Sequence, residues 1–241
     1  MDSKIWSHTD NCRNCGQELT GKYCSNCGQK ANTRRYGASL ISKDIAKEKL
    51  YAKSKHFRTL YRLFISPGKF ARDYLNGKRN PFTAPFTFYL FILGIYVILF
   101  HNFSDIILPF DENDQKYNEL IVIVNQNLNY FSFLMPVTYA FSYFIFYRRK
   151  TGINFPESLV VSLYFLGTTL VIGIVFMLLM YFDSFFWSLR TFVIAAYIFY
   201  AYYQFAGIKG FRGIFLTIVS TSMGFILAVL VIVVFSLLFI Y

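Results

Sequence analysis

Residues 82–103 read FTAPFTFYLFILGIYVILFHNF, a stretch without Asp, Glu, Lys or Arg. A hydrocarbon core about 30 Å thick is crossed by about 20 apolar residues at a helical rise of 1.5 Å each. The stretch therefore predicts a membrane-spanning helix. Four more stretches of the same character follow, at 130–147, 157–182, 185–206 and 214–241. The second is the shortest and has room to begin earlier, within NELIVIVNQNLN. Composition agrees, with 55% hydrophobic residues, 21% aromatic and 15% charged, against about 25% charged in ordinary soluble domains. The expected fold is an all-α polytopic membrane protein with five transmembrane helices over residues 81–241, carrying a small N-terminal zinc ribbon.

Charge divides the chain. Residues 1–80 hold 17 of the 24 Lys and Arg and 6 of the 13 Asp and Glu, so the whole formal net charge of +11 lies there. The segments between spans alternate in sign. Residues 104–129, expected as a loop, carry Asp105, Asp111, Glu112, Asp114 and Glu119 against Lys116 alone. Arg148, Arg149 and Lys150 follow the second span, Asp183 separates the third and fourth, and Lys209 and Arg212 precede the fifth. Basic loops stay on the cytoplasmic side, which predicts a cytoplasmic N-terminus and an outside C-terminus in a bacterial inner membrane. The opening MDSKIWSHTD lacks the apolar run of a cleavable signal peptide.

All four cysteines lie between Cys12 and Gly28, in CRNCGQELTGKYCSNCG. Two Cys-x-x-Cys-Gly knuckles, Cys12/Cys15 and Cys24/Cys27, flank a spacer of eight residues. Two such knuckles supply the four thiolates of a closed tetrahedral site with metal–sulfur distances of about 2.3 Å. The expected ligands are Cys12, Cys15, Cys24 and Cys27, and the expected cofactor is a structural Zn²⁺, with iron or a redox dithiol as alternatives. Leu19 and Tyr23 are almost the only apolar side chains of the module, so the metal must supply most of its stability. A disulfide would need an oxidising compartment, against the predicted orientation.

The ribbon and its short tail occupy residues 1–30, and basic juxtamembrane helices occupy 31–80. From Leu40 onward Leu, Ile and Tyr recur at helical spacing among Lys and Arg, ending in Phe57, Leu60, Tyr61 and Phe64. Such a pattern suits either a helix lying on an anionic leaflet or a solvated linker helix; nucleic-acid binding ranks behind both. Ser66-Pro67 predicts the start of a second short helix and Gly77 its end. Asn80-Pro81 predicts the start of the first span by the same logic.

The segments YCSNCGQK and SPGKFARDYLNGKRNPFTAPFTFYL resemble an uncharacterised Bacteroidota family of membrane proteins. That family has a cytoplasmic zinc ribbon, a Pro-Gly turn and a Gly-Lys-Arg segment before the first span. The matching positions are Cys12, Cys15, Cys24, Cys27, Pro67, Gly77, Lys78, Arg79 and Pro85. Phe82 stands where the family often has a tyrosine. The resemblance implies the ribbon and its cytoplasmic placement, and no established activity. A five-span, N-in/C-out body is also similar in topology to the Yip-type membrane proteins.

Ionisable residues within spans default to functional candidates. Arg190 lies between one and two turns into the fourth span, where it can snorkel or pair with Asp183, and His101 lies near the outer end of the first. Glu157 follows Asn154 by three residues, which predicts a capping box. Gly167 and Gly173, Thr217 and Thr221, and Ser220 and Gly224 predict close helix packing. No nucleophile elbow, Ser-x-x-Lys or His-Glu-x-x-His occurs in the spans, and the chain has no phosphate-binding glycine loop, so it is expected not to be an enzyme. The function expected is a scaffold or adaptor contacting membrane lipids and a cytoplasmic protein partner or anionic lipid. A transporter or channel for a lipid or small solute is the alternative, with Arg190, His101 and the Thr/Ser face of the fifth span as its lining.

Overall fold

The computed structural model describes the backbone of residues 10–37, 53–107, 115–183 and 185–239. After the cysteine-bearing module come seven helices among the described residues: α1 (Lys53–Ile65), α2 (Pro67–Leu75), α3 (Pro85–Ile107), α4 (Gln115–Thr151), α5 (Phe155–Met180), α6 (Phe185–Ala206) and α7 (Phe211–Phe239). Extended pairing among them is confined to two isolated bridges inside the module. Four segments are long and apolar enough to cross a membrane: Pro85–Phe103, Phe155–Met180, Phe185–Ala206 and Phe211–Val231. The expected second span lies within α4, which runs for 37 residues and does begin well before residue 130.

Helix α5 is the axis of the bundle. Val160, Val161, Ser162, Leu163, Tyr164, Phe165 and Leu166 are consecutive and all buried, so the helix is covered on every side, as a central apolar helix must be. The pairings fix the directions of its neighbours. Gly167 and Gly173 of α5 face Phe88 and Tyr96 of α3, and these pairs ascend together, so α3 and α5 run parallel. Phe165 and Phe176 face Phe205 and Phe186 of α6 in descending order, so α5 and α6 are antiparallel. Tyr147 and Ser142 of α4 bond Thr217 and Ser220 of α7, again antiparallel. The starts of α3, α5 and α7 and the ends of α4 and α6 thus gather at one end of the bundle.

Helices α1 and α2 belong to that end rather than hanging from it. Leu63, Phe70, Ala71, Tyr74 and Leu75 share one core with Phe88, Tyr164, Phe165 and Phe205. Phe70 meets Tyr164 edge-on at 5.0 Å. On α1, His56, Thr59 and Leu63 face the bundle, with His56 stacked on Phe91 at 4.6 Å. Phe57, Tyr61, Phe64 and Ile65 form a separate exposed stripe. Lys55, Arg58 and Arg62 fall on the third side by the 3.6-residue period. A helix with a bundle face, an apolar exposed face and a basic face suits the membrane interface.

Three expectations are corrected in detail. The first span begins as a helix at Pro85, not at Asn80-Pro81, because Asn80 is engaged by the cysteine module. Part of the expected 104–129 loop is helix, since α3 continues to Ile107 and α4 starts at Gln115. Asp183 does not pair with Arg190: its Oδ1 accepts from the Phe185 backbone N–H at 2.7 Å, serving the start of α6. The helix expected from Leu40 onward falls partly outside the described residues and is helical from Lys53. Pro67 opens α2 as expected, although the Ser66 side chain makes no capping bond.

The contact between α2 and α6 requires a glycine. A Cβ on Gly68 would overlap the Phe205 backbone nitrogen and lie 2.8 Å from its Cα, and neither backbone atom can swing away. Around it, the Gly68 N–H donates to Gln204 Oε1 at 2.7 Å. Arg72 reaches the last turn of α6, donating to the Gln204 carbonyl and to the Phe205 carbonyl at 3.0 Å, where a cation complements the helix dipole. Gly68→Ala is therefore expected to destabilise the full chain by about 1–3 kcal/mol through overpacking. Its neighbour Lys69, which is exposed, should tolerate alanine, and thermal unfolding of both variants in detergent checks the contrast.

Candidate metal centre and its seat on the bundle

The two knuckles are one motif written twice, Cys-x-Asn-Cys-Gly-Gln at 12–17 and again at 24–29. Their backbones repeat as well. Gly16 and Gly28 adopt φ of 81° and 71°, and their N–H groups donate to the Cys12 and Cys24 carbonyls at 2.8 and 2.9 Å. Cys12 and Cys24 donate to the Gln17 and Gln29 carbonyls at 2.7 and 2.8 Å. Such turns aim both sulfurs of a knuckle at one point, and the glycine takes the left-handed conformation that other residues resist.

The four Sγ atoms lie within 4.8 Å of one another. Cys12 and Cys27 are 3.6 Å apart and Cys15 and Cys24 3.5 Å. A tetrahedron with arms of about 2.3 Å has edges of about 3.8 Å, so the cluster has the dimensions of a tetrahedral four-thiolate site. Neither distance is near the roughly 2.05 Å of a disulfide. The donor set fits a metal ion, and a closed shell of four soft ligands leaves no position for substrate. The thiols differ in their surroundings. Burial pushes Cys12 up to about 11. Cys27 is held down to about 7 even though burial opposes it, through hydrogen bonding to the Gln29 backbone and the Asn14 side chain. Cys24 is lowered, chiefly by the Cys27 backbone.

The repeat breaks in how its two halves are used. Gln17 is exposed and Gln29 buried. Gln29 donates to the Gly77 carbonyl at 2.9 Å, while its Oε1 accepts from the backbone N–H groups of Arg79 and Asn80 at 3.0 and 3.1 Å. Asn80 Nδ2 returns a bond to the Cys27 carbonyl. The second knuckle is thereby fastened to the turn between α2 and α3, while Cys15 and Gln17 of the first stay exposed.

The segment leaving the second knuckle makes a second fastening. Arg35 donates to both carboxylate oxygens of Glu157, at 2.7 and 2.9 Å, and to the Gly152 carbonyl at 2.6 Å. Glu157 is fully buried. It also closes the expected capping box, accepting from the Asn154 N–H at 2.9 Å while its own N–H donates to Asn154 Oδ1 at 2.8 Å. The Glu157 hydrogen bonds and charge raise the Arg35 pKa. Tyr36 is buried beside them, its hydroxyl 3.5 Å from that of Tyr74 and its carbonyl accepting from Asn154 Nδ2 at 3.1 Å. Arg79 covers the Tyr36 ring at 4.4 Å and donates to the Arg34 carbonyl at 2.8 Å.

Other residues singled out in the sequence lie elsewhere. Arg190 sits 4.4 Å over the Trp187 ring; its Nε is buried without a hydrogen-bond partner among the described residues. His101 is exposed near Phe100 on α3. Thr217 and Ser220 are buried in helix contacts, and a Cβ on Gly224 would touch Tyr139 at 3.1 Å, so these positions pack α7 against α4. Gln29, Arg35, Tyr36 and Asn80 were missed in the sequence. Only the repeated Gly-Gln after each knuckle hinted at the first of them.

A family described only as a protein of unknown function (DUF3667) matches residues 54–97. The match covers α1, α2, the turn that receives the second knuckle and the first part of α3. No curated protein and no solved structure matches the chain.

Arg35→Ala leaves Glu157 buried without its cation, which should cost about 2–4 kcal/mol. In a double-mutant cycle with Glu157→Gln the losses should fall short of additivity, as read from thermal unfolding of the full chain in detergent. Chelation of the metal should expose four reactive thiols and open Lys22 and Lys30 to trypsin, while α5 and α6 stay protected.

Proposed function

We propose that the chain is a bacterial inner-membrane adaptor. Five spans, with the N-terminus cytoplasmic and the C-terminus outside, would anchor a structural zinc ribbon that recruits a cytoplasmic protein partner, while the basic helices rest on anionic lipid. The observation that carries this reading is the unequal use of the two knuckles. One is bolted to the end of the bundle through Gln29 and Asn80, and its twin, whose Arg13 lies against Gly77 of the same turn, keeps Cys15 and Gln17 exposed at a fixed position. A displayed, rigid module that offers no open metal position suits recognition better than chemistry, so no enzymatic activity is assigned.

Zinc is favoured for the site because four thiolates in tetrahedral array suit a d¹⁰ ion with no geometric preference of its own. Five spans are favoured because α4 lies side by side with α7 through Ser142 and Tyr147. Its mean apolarity is diluted by Ser, Thr and Tyr side chains, among them the Ser142 and Tyr147 that make those contacts. The orientation is supported by the gathering of Arg148, Arg149, Lys150, Lys209 and Arg212 near the bundle end that carries the ribbon. Transport is less well supported, since Thr217 and Ser220 of its expected lining are occupied in packing.

In cells, a Cys24→Ser/Cys27→Ser variant should still insert in the membrane but lose the crosslinks that the ribbon makes to its partner. Retention of every crosslink would remove the support for recruitment.

A further inference from the structure

Between the ribbon and the short helices lies a cavity of about 340 Å³, within the size range of small-ligand sites, about 300–1,000 Å³. Its walls come from four separate pieces of chain: Asn14 of the first knuckle, Arg62 of α1, Lys69 and Asp73 of α2, and Lys78 of the following turn. Phe70 and Phe82 line it as well. Three cations thus face one carboxylate, and that carboxylate is already taken: Lys78 Nζ lies 3.1 Å from Asp73 Oδ1. Among the described residues no ion pair engages Arg62 or Lys69. Arg62 and Lys69, from two helices, thus line the cavity without an ion-pair partner among the described residues, together with the Lys78–Asp73 pair and the aromatic Phe70 and Phe82.

Its position narrows what it can take. Arg62 lies on the basic side of α1, and the neighbouring side of the same helix exposes Phe57, Tyr61, Phe64 and Ile65. One end of the cavity, at Pro81 and Phe82, abuts the start of the α3 span. A helix that turns apolar residues toward lipid on one side and cations on the next places those cations at headgroup height. Arg pairs phosphate oxygens through its planar fork, and Lys adds a point charge.

The geometry points to a phosphate-binding site built by Arg62 and Lys69, whose ligand is the phosphate of a membrane-lipid headgroup or a soluble phosphate ester of the same chemistry. This deepens the lipid-contacting part of the proposed function and rests on its membrane orientation. The ribbon takes part, because Asn14 lines the cavity and the second knuckle is fastened to the turn at Gly77–Asn80. A bound phosphate would in return tie α1, α2 and the ribbon together.

The test is native mass spectrometry of the full chain in detergent, titrated with phosphatidylglycerol, with phosphatidylcholine as the zwitterionic control. Retention of phosphatidylglycerol over phosphatidylcholine is expected. Each near-surface cation contributes about fivefold in affinity, so Arg62→Ala/Lys69→Ala should weaken retention about 25-fold. Arg62→Lys/Lys69→Arg should restore most of it. Lys22→Ala/Lys30→Ala, which removes the same charge from the ribbon outside the cavity, should leave it unchanged. Displacement of the lipid by glycerol 1-phosphate would assign the site to a soluble ester, and resistance to displacement would assign it to lipid. Undiminished retention by Arg62→Ala/Lys69→Ala, or an equal loss in Lys22→Ala/Lys30→Ala, overturns the site. Arg62→Ala/Lys69→Ala, which leaves the ribbon intact, should not alter the partner crosslinks, so failure here is separable from failure of the adaptor reading.

Discussion

A carboxylate with no exposure to solvent sits at the start of the central helix. Glu157 must find partners inside the protein, because an isolated buried charge is among the costliest things a fold can contain. Asn154 satisfies part of it within the capping box, and Arg35 satisfies the rest from more than a hundred residues away in sequence. That pairing draws the segment after the ribbon down onto the bundle. Once Arg35 is fixed, Tyr36 is buried against Tyr74, Arg79 stacks on Tyr36, and the second knuckle comes to rest on the turn that Gln29 and Asn80 close. The ribbon is then a part of the membrane body, not a bead on a string.

This arrangement explains why the basic helices carry aromatic residues at all. Phe70 and Tyr74 of α2 complete the core around Tyr164 of α5, and Gly68 lets α2 approach the last turn of α6. Helices α1 and α2 thus form a packed collar at one end of the bundle, between the metal module and the spans. The region matched to the family of unknown function is this collar together with the first part of α3, the piece to which both the ribbon and the bundle attach.

Much of this was readable from the chain, and for identifiable reasons. Apolar runs of membrane length announce helices because lipid offers the backbone no other way to satisfy its polar groups, and four of the expected five meet the criteria of length and apolarity. The α4 segment is less apolar because Ser, Thr, Pro and Tyr interrupt it, and two of these, Ser142 and Tyr147, bind α7, a demand that hydropathy cannot register. The cysteines were legible as a cluster able to hold a metal ion because a knuckle is a local motif. The Asn154–Glu157 box was legible for the same reason. The contacts that seat the ribbon were not. Arg35 looked like one cation among 24 Lys and Arg, and its partner looked fully explained by the cap. Asn80 read as a helix start, although its side chain reaches the Cys27 carbonyl and the helix waits until Pro85.

The central claim is that one buried carboxylate positions the ribbon. Hydrogen exchange of the full chain in lipid nanodiscs, comparing wild type with Glu157→Gln, tests it most directly. If Glu157 holds the N-terminal segment down, exchange should rise at residues 24–36 and at the Arg79 and Asn80 amides, well away from the substitution. A change confined to residues 154–158 would contradict it and would leave the ribbon seated by Gln29 and Asn80 alone.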